Sequence, residues 1–428
     1  MKLNLFRKKD FSLLMLAKTA SLIGTQLQDF ALSLYVLKIT GLASIFASVL
    51  AVALIPQLVL GPISGVFADW LNRKKIIVYM DIIQGILVAL YAIIFAVNGK
   101  VGLGFIYALV ISITLCSVVY QPAASTIIPT IVDKEELLDA NAVNTLIMNM
   151  GNLIAPALGG ILFGIFGIFI IFVINSISFI VSAICEMFIN IPKTNKAPDK
   201  ITFKKFFNDF GEGILFVKNK KVIFRIIIFC LLINFLASPL FSVGITYINK
   251  NILKVSDFQY GMVESVFVSS MLVAPFLSSI IGKKVTIGKM LYYDILIVST
   301  LMLCMAVVPF SPFLHLFSAN TVPYIALVSL VFLVGLVVNV ANIAMGAFFQ
   351  KQVPLHMMGR VGTVLSSISM GAIPLGQMVF GIMYDHVAAS ICVLLPSLIL
   401  LFFTLAAMRD LDKADTEKIE EKSAVSQA

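Results

Sequence analysis

The chain has 428 residues, 60% hydrophobic and 12% charged, with a mean hydropathy of +1.03 and a formal net charge of +9. A water-soluble domain needs far more polar surface than this balance provides. The apolar residues gather into stretches of about twenty or more, enough to cross about 30 Å of hydrocarbon as helix. They lack the two-residue alternation of a membrane β-barrel, so the chain reads as an all-α membrane protein.

Twelve candidate spans cover roughly 11–36, 42–68, 76–97, 103–128, 140–163, 166–189, 222–249, 258–281, 289–310, 322–347, 360–384 and 387–408. Lys2 to Asp10 lead into the first span with no small-residue cleavage site after a short apolar core, which predicts a retained helix. That span carries Lys18, Ser21, Thr25 and Asp29 at intervals of three, four and four, one stripe down one helix face. Polar groups at depth are costly and usually face a cavity. Asp29 lies well inside the span, so its charge must be compensated or neutralised. A carboxyl that alternates between wet and buried states can bind and release a proton. Lys18 is three turns away, about 16 Å along the axis, too far to pair with it. Its long stem is expected to snorkel toward the inner interface.

Between the second and third spans lies the turn Asp69-Trp70-Leu71-Asn72-Arg73-Lys74-Lys75. Spans joined by so few residues form a helical hairpin, and three cations hold its tip on the cytoplasmic side. Gly65 permits close helix contact, and Asp69 presents an anion to a neighbouring helix N-terminus or basic side chain. Arg73 offers a multidentate donor that Lys74 cannot reproduce. The simpler alternative is a membrane-flanking turn with positive-inside lysines. Asp81, Glu186 and Asp294 sit at cytoplasmic ends of spans, where loop-latching or plain solvation is expected.

The fifth span adds the polar stripe Asn141, Thr145, Asn149 and Asn152, together with Gly151, Pro156, Gly159 and Gly160, which allow kinking and close approach. The interruption from Asn190 to Lys221 is lysine-rich and divides the spans six and six. It reads first as a basic tether. The helix-like recurrence of Phe203, Phe206, Phe207, Phe210, Ile214 and Phe216 leaves an amphipathic surface helix as the second reading. In the second half, Asn234, Ser238 and Ser242 mark the seventh span, and Glu264 gives the eighth a second proton-coupling candidate. Asn339 and Asn342 mark the tenth, with Ser366, Met370 and Gln377 in the eleventh. As a set these stripes suit a wet pathway; each alone could be helix glue.

The halves echo each other. Tyr79 and Asp81 open the third span as Tyr292 and Asp294 open the ninth; Pro156, Gly159 and Gly164 in the fifth match Pro374, Gly376 and Gly381 in the eleventh. Parallel repeats of this kind build two facing bundles. The expected organisation is a cytoplasmic segment 1–10, a bundle 11–189, the linker 190–221, a bundle 222–408 and a disordered cytoplasmic tail 409–428. With the N-terminus inside, 26 of 31 Lys and Arg fall on the cytoplasmic side. Only Lys38, Lys100, Lys250 and Lys254 fall outside, and Lys18 lies within a span. The basic charge is therefore a topology signal rather than a nucleic-acid footprint. It places both termini in the cytoplasm of a cell-membrane protein.

The five cysteines lie far apart inside apolar spans, with no metal or disulfide spacing. No phosphate loop and no catalytic constellation occurs, so neither an enzyme nor a cofactor is expected. The sequence is compatible with a monomer and fixes no oligomeric state.

The segment Gly65-Val66-Phe67-Ala68-Asp69-Trp70-Leu71-Asn72-Arg73-Lys74-Lys75 resembles the loop between the second and third helices of the major facilitator superfamily. Trp70 stands where that family commonly has a second basic residue, and Asn72 where it has glycine. Gln121-Pro122-Ala123, Leu137-Leu138-Asp139-Ala140-Asn141, Met358-Gly359-Arg360-Val361 and Pro374-Leu375-Gly376 extend the likeness over about 11–408. Within the superfamily the chain is similar to the twelve-span efflux branch that includes macrolide and siderophore exporters. The resemblance implies two pseudo-symmetric six-helix bundles and a conformational latch at Gly65, Asp69, Arg73, Lys74 and Asp81. Gly151-Asn152-Leu153-Ile154-Ala155-Pro156-Ala157-Leu158-Gly159-Gly160 resembles the family's antiporter motif, with Ala155 replacing a glycine. Together these imply a proton-coupled exporter of small amphipathic compounds working by alternating access. The alternatives are a facilitator, importer or lipid mover of the same fold, and a receptor or scaffold without transport.

Overall fold

A computed structural model describes residues 3–70, 72–191, 203–282, 285, 287–354 and 357–406. The described residues form helices and turns and no strand. The long helices are α1 (Lys9–Thr40), α2 (Ala43–Trp70), α3 (Arg73–Asn98), α4 (Leu103–Ser125) and α5 (Leu137–Met187). They continue with α6 (Phe203–Asn219), α7 (Lys221–Leu236), α8 (Asp257–Gly282) and α9 (Ile287–Val307). The last three are α10 (Thr321–Gln352), α11 (Met358–His386) and α12 (Ala389–Ala406).

Among the described residues, ten helices are long and apolar enough to cross a membrane. That count treats α5 as one helix although it contains two expected spans, which meet at Gly167. Gly167 has φ 70°, a left-handed conformation that breaks the helix cheaply only without a Cβ. The 32-residue α1 is not among the ten, since Thr25, Gln26, Gln28 and Asp29 interrupt its apolar stretch. The helices are consistent with twelve crossings. Large apolar side chains such as Phe276 and Phe402 lie 73% and 70% exposed, an arrangement suited to lipid and not to water.

The backbone separates into two compact units, Met1–Ile201 with Val255–Ser265, and Thr202–Lys254 with Val266–Ala428. In the first unit α1 packs along α5, α3 along the later part of α5, and α2 along α4. An apolar cluster in it joins Phe11, Leu14, Ile77, Ala123, Ile127 and Val143. Asn72 begins α3 by accepting the Lys75 amide at 3.2 Å and is the helix cap there. Lys8 pairs with Asp133 at 2.6 Å and Glu136 at 2.5 Å, tying the chain start to the residues before α5. Those carboxylates hold the Lys8 ammonium above its ordinary pKa.

In the second unit α9 packs on α10, and α11 packs on both α7 and α6. The segment read first as a tether contains a packed helix. Phe210, Phe216 and Val217 of α6 join Ile223, Ile227, Val361 and Val364, and Glu212 pairs with Arg360 at the start of α11. Residues 192–202 of that linker, and the tail 409–428, lie outside the described residues. Beyond α7, two π-helical turns, Leu240–Gly244 and Ile248–Ile252, follow Pro239 and widen the helix locally.

Candidate functional site

In the first unit the polar face of α1 lies against α5, and successive residues pair across the seam. Lys18 Nζ donates to Asn144 Oδ1 at 3.0 Å, and Gln26 Nε2 donates to Asn152 Oδ1 at 2.5 Å. Asn175 Nδ2 donates to Gln28 Oε1 at 2.8 Å, with both side chains buried. Lys18 thus finds a partner within the unit where snorkelling was expected. Small residues make these approaches possible. Leu22 fills the space beside Gly151, and Phe30 that beside Gly159, so two glycines of the antiporter-like motif are places where α1 closes on α5.

Asp29 is exposed on α1, and its neighbour Phe30 stacks on Tyr260, with ring centroids 5.1 Å apart and planes 18° apart. Tyr260 in turn donates its hydroxyl to Glu264 Oε1 at 3.0 Å. The two carboxyls singled out from sequence therefore stand on elements that touch through one aromatic pair. At the same place a Cβ on Gly160 would strike the carbonyl of Asp257, and one on Gly261 the carbonyl of Pro156. Backbone meets backbone there, because neither glycine carries a side chain to hold the helices apart.

The other stripe residues are less connected. Ser21, Asn141, Asn234 and Asn339 return their hydrogen bonds to carbonyls of their own helices, Ala17, Leu137, Cys230 and Gly335. Thr145 and Asn342 are exposed, and Thr25, Asn149 and Ser238 half-buried. Pro156 is also half-buried. In the second unit Gln377, itself buried, reaches Ser242 Oγ at 3.2 Å, on the first π-helical turn. Phe241 and Phe267 lie near that turn with ring centroids 5.4 Å apart.

Gly65 and Asp69 fall on α2, but their side chains lie outside the described ones. Lys74 Nζ donates to the Met187 carbonyl at 2.7 Å, linking the start of α3 to the end of α5; Arg73, beside it, is half-buried and engaged. Asp81, Glu186 and Asp294 are 1%, 0% and 6% exposed, which overturns the expectation of plain solvation. Sequence position put them at span ends; the packing of neighbouring helices covers them. Gln26, Gln28, Asn144, Asn175 and Tyr120 fall outside the polar stripes read from the sequence. Their signal was there in part, since each is a polar group standing in an apolar run.

Two groups of solved transporters share this architecture. A bacterial homologue of the iron transporter ferroportin superposes with a TM-score of 0.70 at 16% identity, over 94% of this chain and 100% of that one. The nucleoside transporter NupG gives 0.71 at 14% identity, over 92% and 98%. The chain has the major facilitator fold and is a multi-pass membrane transporter, with the fold and family of transporters and not of enzymes. The family model described as transmembrane secretion effector matches residues 2–427, and the chain belongs to that family. Macrolide efflux protein A of Streptococcus pyogenes is 21% identical over 388 residues, 90% of this chain and 91% of that protein. The protein of the same name from Enterococcus faecalis is 22% identical over 338 residues, 77% of this chain and 99% of its own length.

Proposed function

We propose that this transporter is a proton-coupled exporter of small amphipathic or hydrophobic compounds, of the drug, macrolide or siderophore type. The observation that carries the reading is similarity to macrolide efflux proteins along 90% of the chain. Substrate and protons exchange by alternating access between bundles 11–189 and 222–408, joined by 190–221, in a cell membrane. Asp29 is the first proton-coupling residue and Glu264 the second. Support comes from the exposed carboxyl of Asp29 deep in an apolar span, and from the Phe30–Tyr260–Glu264 chain beside it. Coupling needs a group whose protonation differs between two conformations, and a cavity-facing carboxyl meets that need. Asn152 and Gln377, which reach across to other helices, are the best supported pathway residues.

The test is transport in proteoliposomes under an imposed pH gradient. Asp29→Asn keeps size and hydrogen bonding but cannot titrate, so uphill efflux should be lost while downhill exchange stays measurable. Uphill efflux at the wild-type rate by Asp29→Asn would pass the role to Glu264, and by the double variant with Glu264→Gln would end the proton-coupling reading. Import in the same vesicles would reverse the direction assigned.

The latch at Gly65, Asp69, Arg73, Lys74 and Asp81 belongs to the same proposal. Asp69→Asn or Arg73→Ala should slow transport strongly while expression and melting temperature stay near wild type. A turn at the membrane edge contributes little packing but can bias a two-state change. Full transport by Asp69→Asn would remove the latch.

A further inference from the structure

Inside the first unit, away from Asp29, two carboxyls share one dry place. Asp81 projects from α3 and Glu186 from the end of α5, at 1% and 0% exposure, and Asp81 acts electrostatically on Glu186. Tyr120 of α4 donates its hydroxyl to Glu186 Oε1 at 2.9 Å. The second Glu186 oxygen, Oε2, and Asp81 Oδ2 have no hydrogen-bond partner among the described residues. The fully buried Ser182 hydroxyl, one turn before Glu186, lies beside Asp81 and acts on its carboxyl as a donor. A buried polar atom without a partner is costly, and two carboxyl oxygens in one place call for something to satisfy them.

The surrounding charges limit what that can be. Lys18 of α1 is the cation that acts on Glu186 through space, and its ammonium is hydrogen-bonded to Asn144. Lys74 is held by the Met187 carbonyl, and Arg73 beside it has contacts of its own. Gln84, one turn from Asp81, already accepts from Ser117 at 3.4 Å, and Cys185 is an apolar-buried thiol. Two ionised carboxylates against one lysine would leave a net negative charge where water cannot screen it. One proton between the carboxyls brings the group to balance and supplies a donor for an orphaned oxygen.

We propose that Asp81 and Glu186 form a proton-binding pair that holds one proton between them at neutral pH, separate from the coupling residues on α1 and α8. The proton belongs to the pair and not to either residue. Its loss leaves two like charges repelling each other in the dry space between α3 and the end of α5, so alkaline conditions loosen that end of the unit.

Infrared difference spectra of the purified full chain in lipid read the proton directly, without any transport. Spectra are taken in an Asp29→Asn, Glu264→Gln background, so that failure here is independent of failure of proton coupling. A protonated-carboxyl band should persist at neutral pH, change in Glu186→Gln and vanish in the double variant Asp81→Asn, Glu186→Gln. In Asp81→Asn its midpoint should fall by about one pH unit or more, because the like charge is gone. In Tyr120→Phe it should rise, because the hydroxyl stabilises the ionised form. These substitutions are near-isosteric, and a monodisperse elution profile shows that each variant folds. No such band in the parent, or a band unmoved by all three substitutions, overturns the pair. Loss of the band on adding sodium at fixed pH also overturns it, by showing a metal cation in the proton's place.

Discussion

Asn175 is fully buried, donates to Gln28 and accepts from the Ser178 hydroxyl at 3.1 Å. It is joined so completely that its value lies in the partners it would strand. Asn175→Ala leaves the Gln28 carbonyl oxygen without its donor in an apolar surrounding. The expected cost is about 1 kcal/mol, between the larger cost of a stranded group in water-soluble cores and the smaller average for membrane helices. A lower melting temperature of the purified protein in detergent reads it. Replacing both partners by leucine should return part of the loss, since nothing polar is then left unpaired. A wild-type melting temperature for Asn175→Ala would mean that the bond does not hold α1 to α5. The limit of sequence reading is visible in this pair. A lone amide in an apolar run announces a partner, but Gln28 and Asn175 are 147 positions apart and nothing local connects them. Lys18 was misread for the same reason, its partner Asn144 being 126 positions away.

Elements were easier to read than pairs, because each apolar stretch is its own signal. Ten of the eleven expected gaps between spans carry polar side chains, but the one near Gly164-Ile165-Phe166-Gly167 has none. The turn there depends on a single left-handed glycine, so α5 runs on as one 51-residue helix with a break inside it. The π-helical turns after Pro239 had no sequence signal at all, since backbone spacing and not residue type defines them. Close crossings were legible as small residues but not as to which helix they meet. Gly160 and Gly261 resolve this, for each faces the other helix's backbone carbonyl. A side chain at Gly261 has nowhere to go, as the obstacle is main chain. Gly261→Val should therefore cost about 1–3 kcal/mol through overpacking, seen as a clear drop in melting temperature. Gly104→Ala on α4 is the control: a Cβ there meets nothing within 4 Å, and the variant should melt like wild type. Equal melting temperatures for Gly261→Val and Gly104→Ala would show that the crossing is not tight in solution.

At the scale of the molecule, charge decides which way the chain faces. Lys and Arg are retained on the cytoplasmic side during insertion, so orientation follows from where they cluster and not from their sum. With the N-terminus inside, 26 of 31 fall on that side, and the reverse orientation would force nearly all of them across the membrane. An even number of crossings then predicts both ends in the cytoplasm. Lys100 and Lys254 are exposed in connections expected outside, whereas Asp133 and Lys218 are exposed in connections expected inside. Single cysteines at these four positions, in a background with Cys116, Cys185, Cys230, Cys304 and Cys392 replaced by serine or alanine, give the test. An impermeant maleimide added to intact cells should label positions 100 and 254 only. Positions 133 and 218 should react after the membrane is opened. Labelling of position 218 from outside would place α6 on the far side of the membrane. It would invert the lysine bias that orients every span, and the assignment of both termini to the cytoplasm would fall with it.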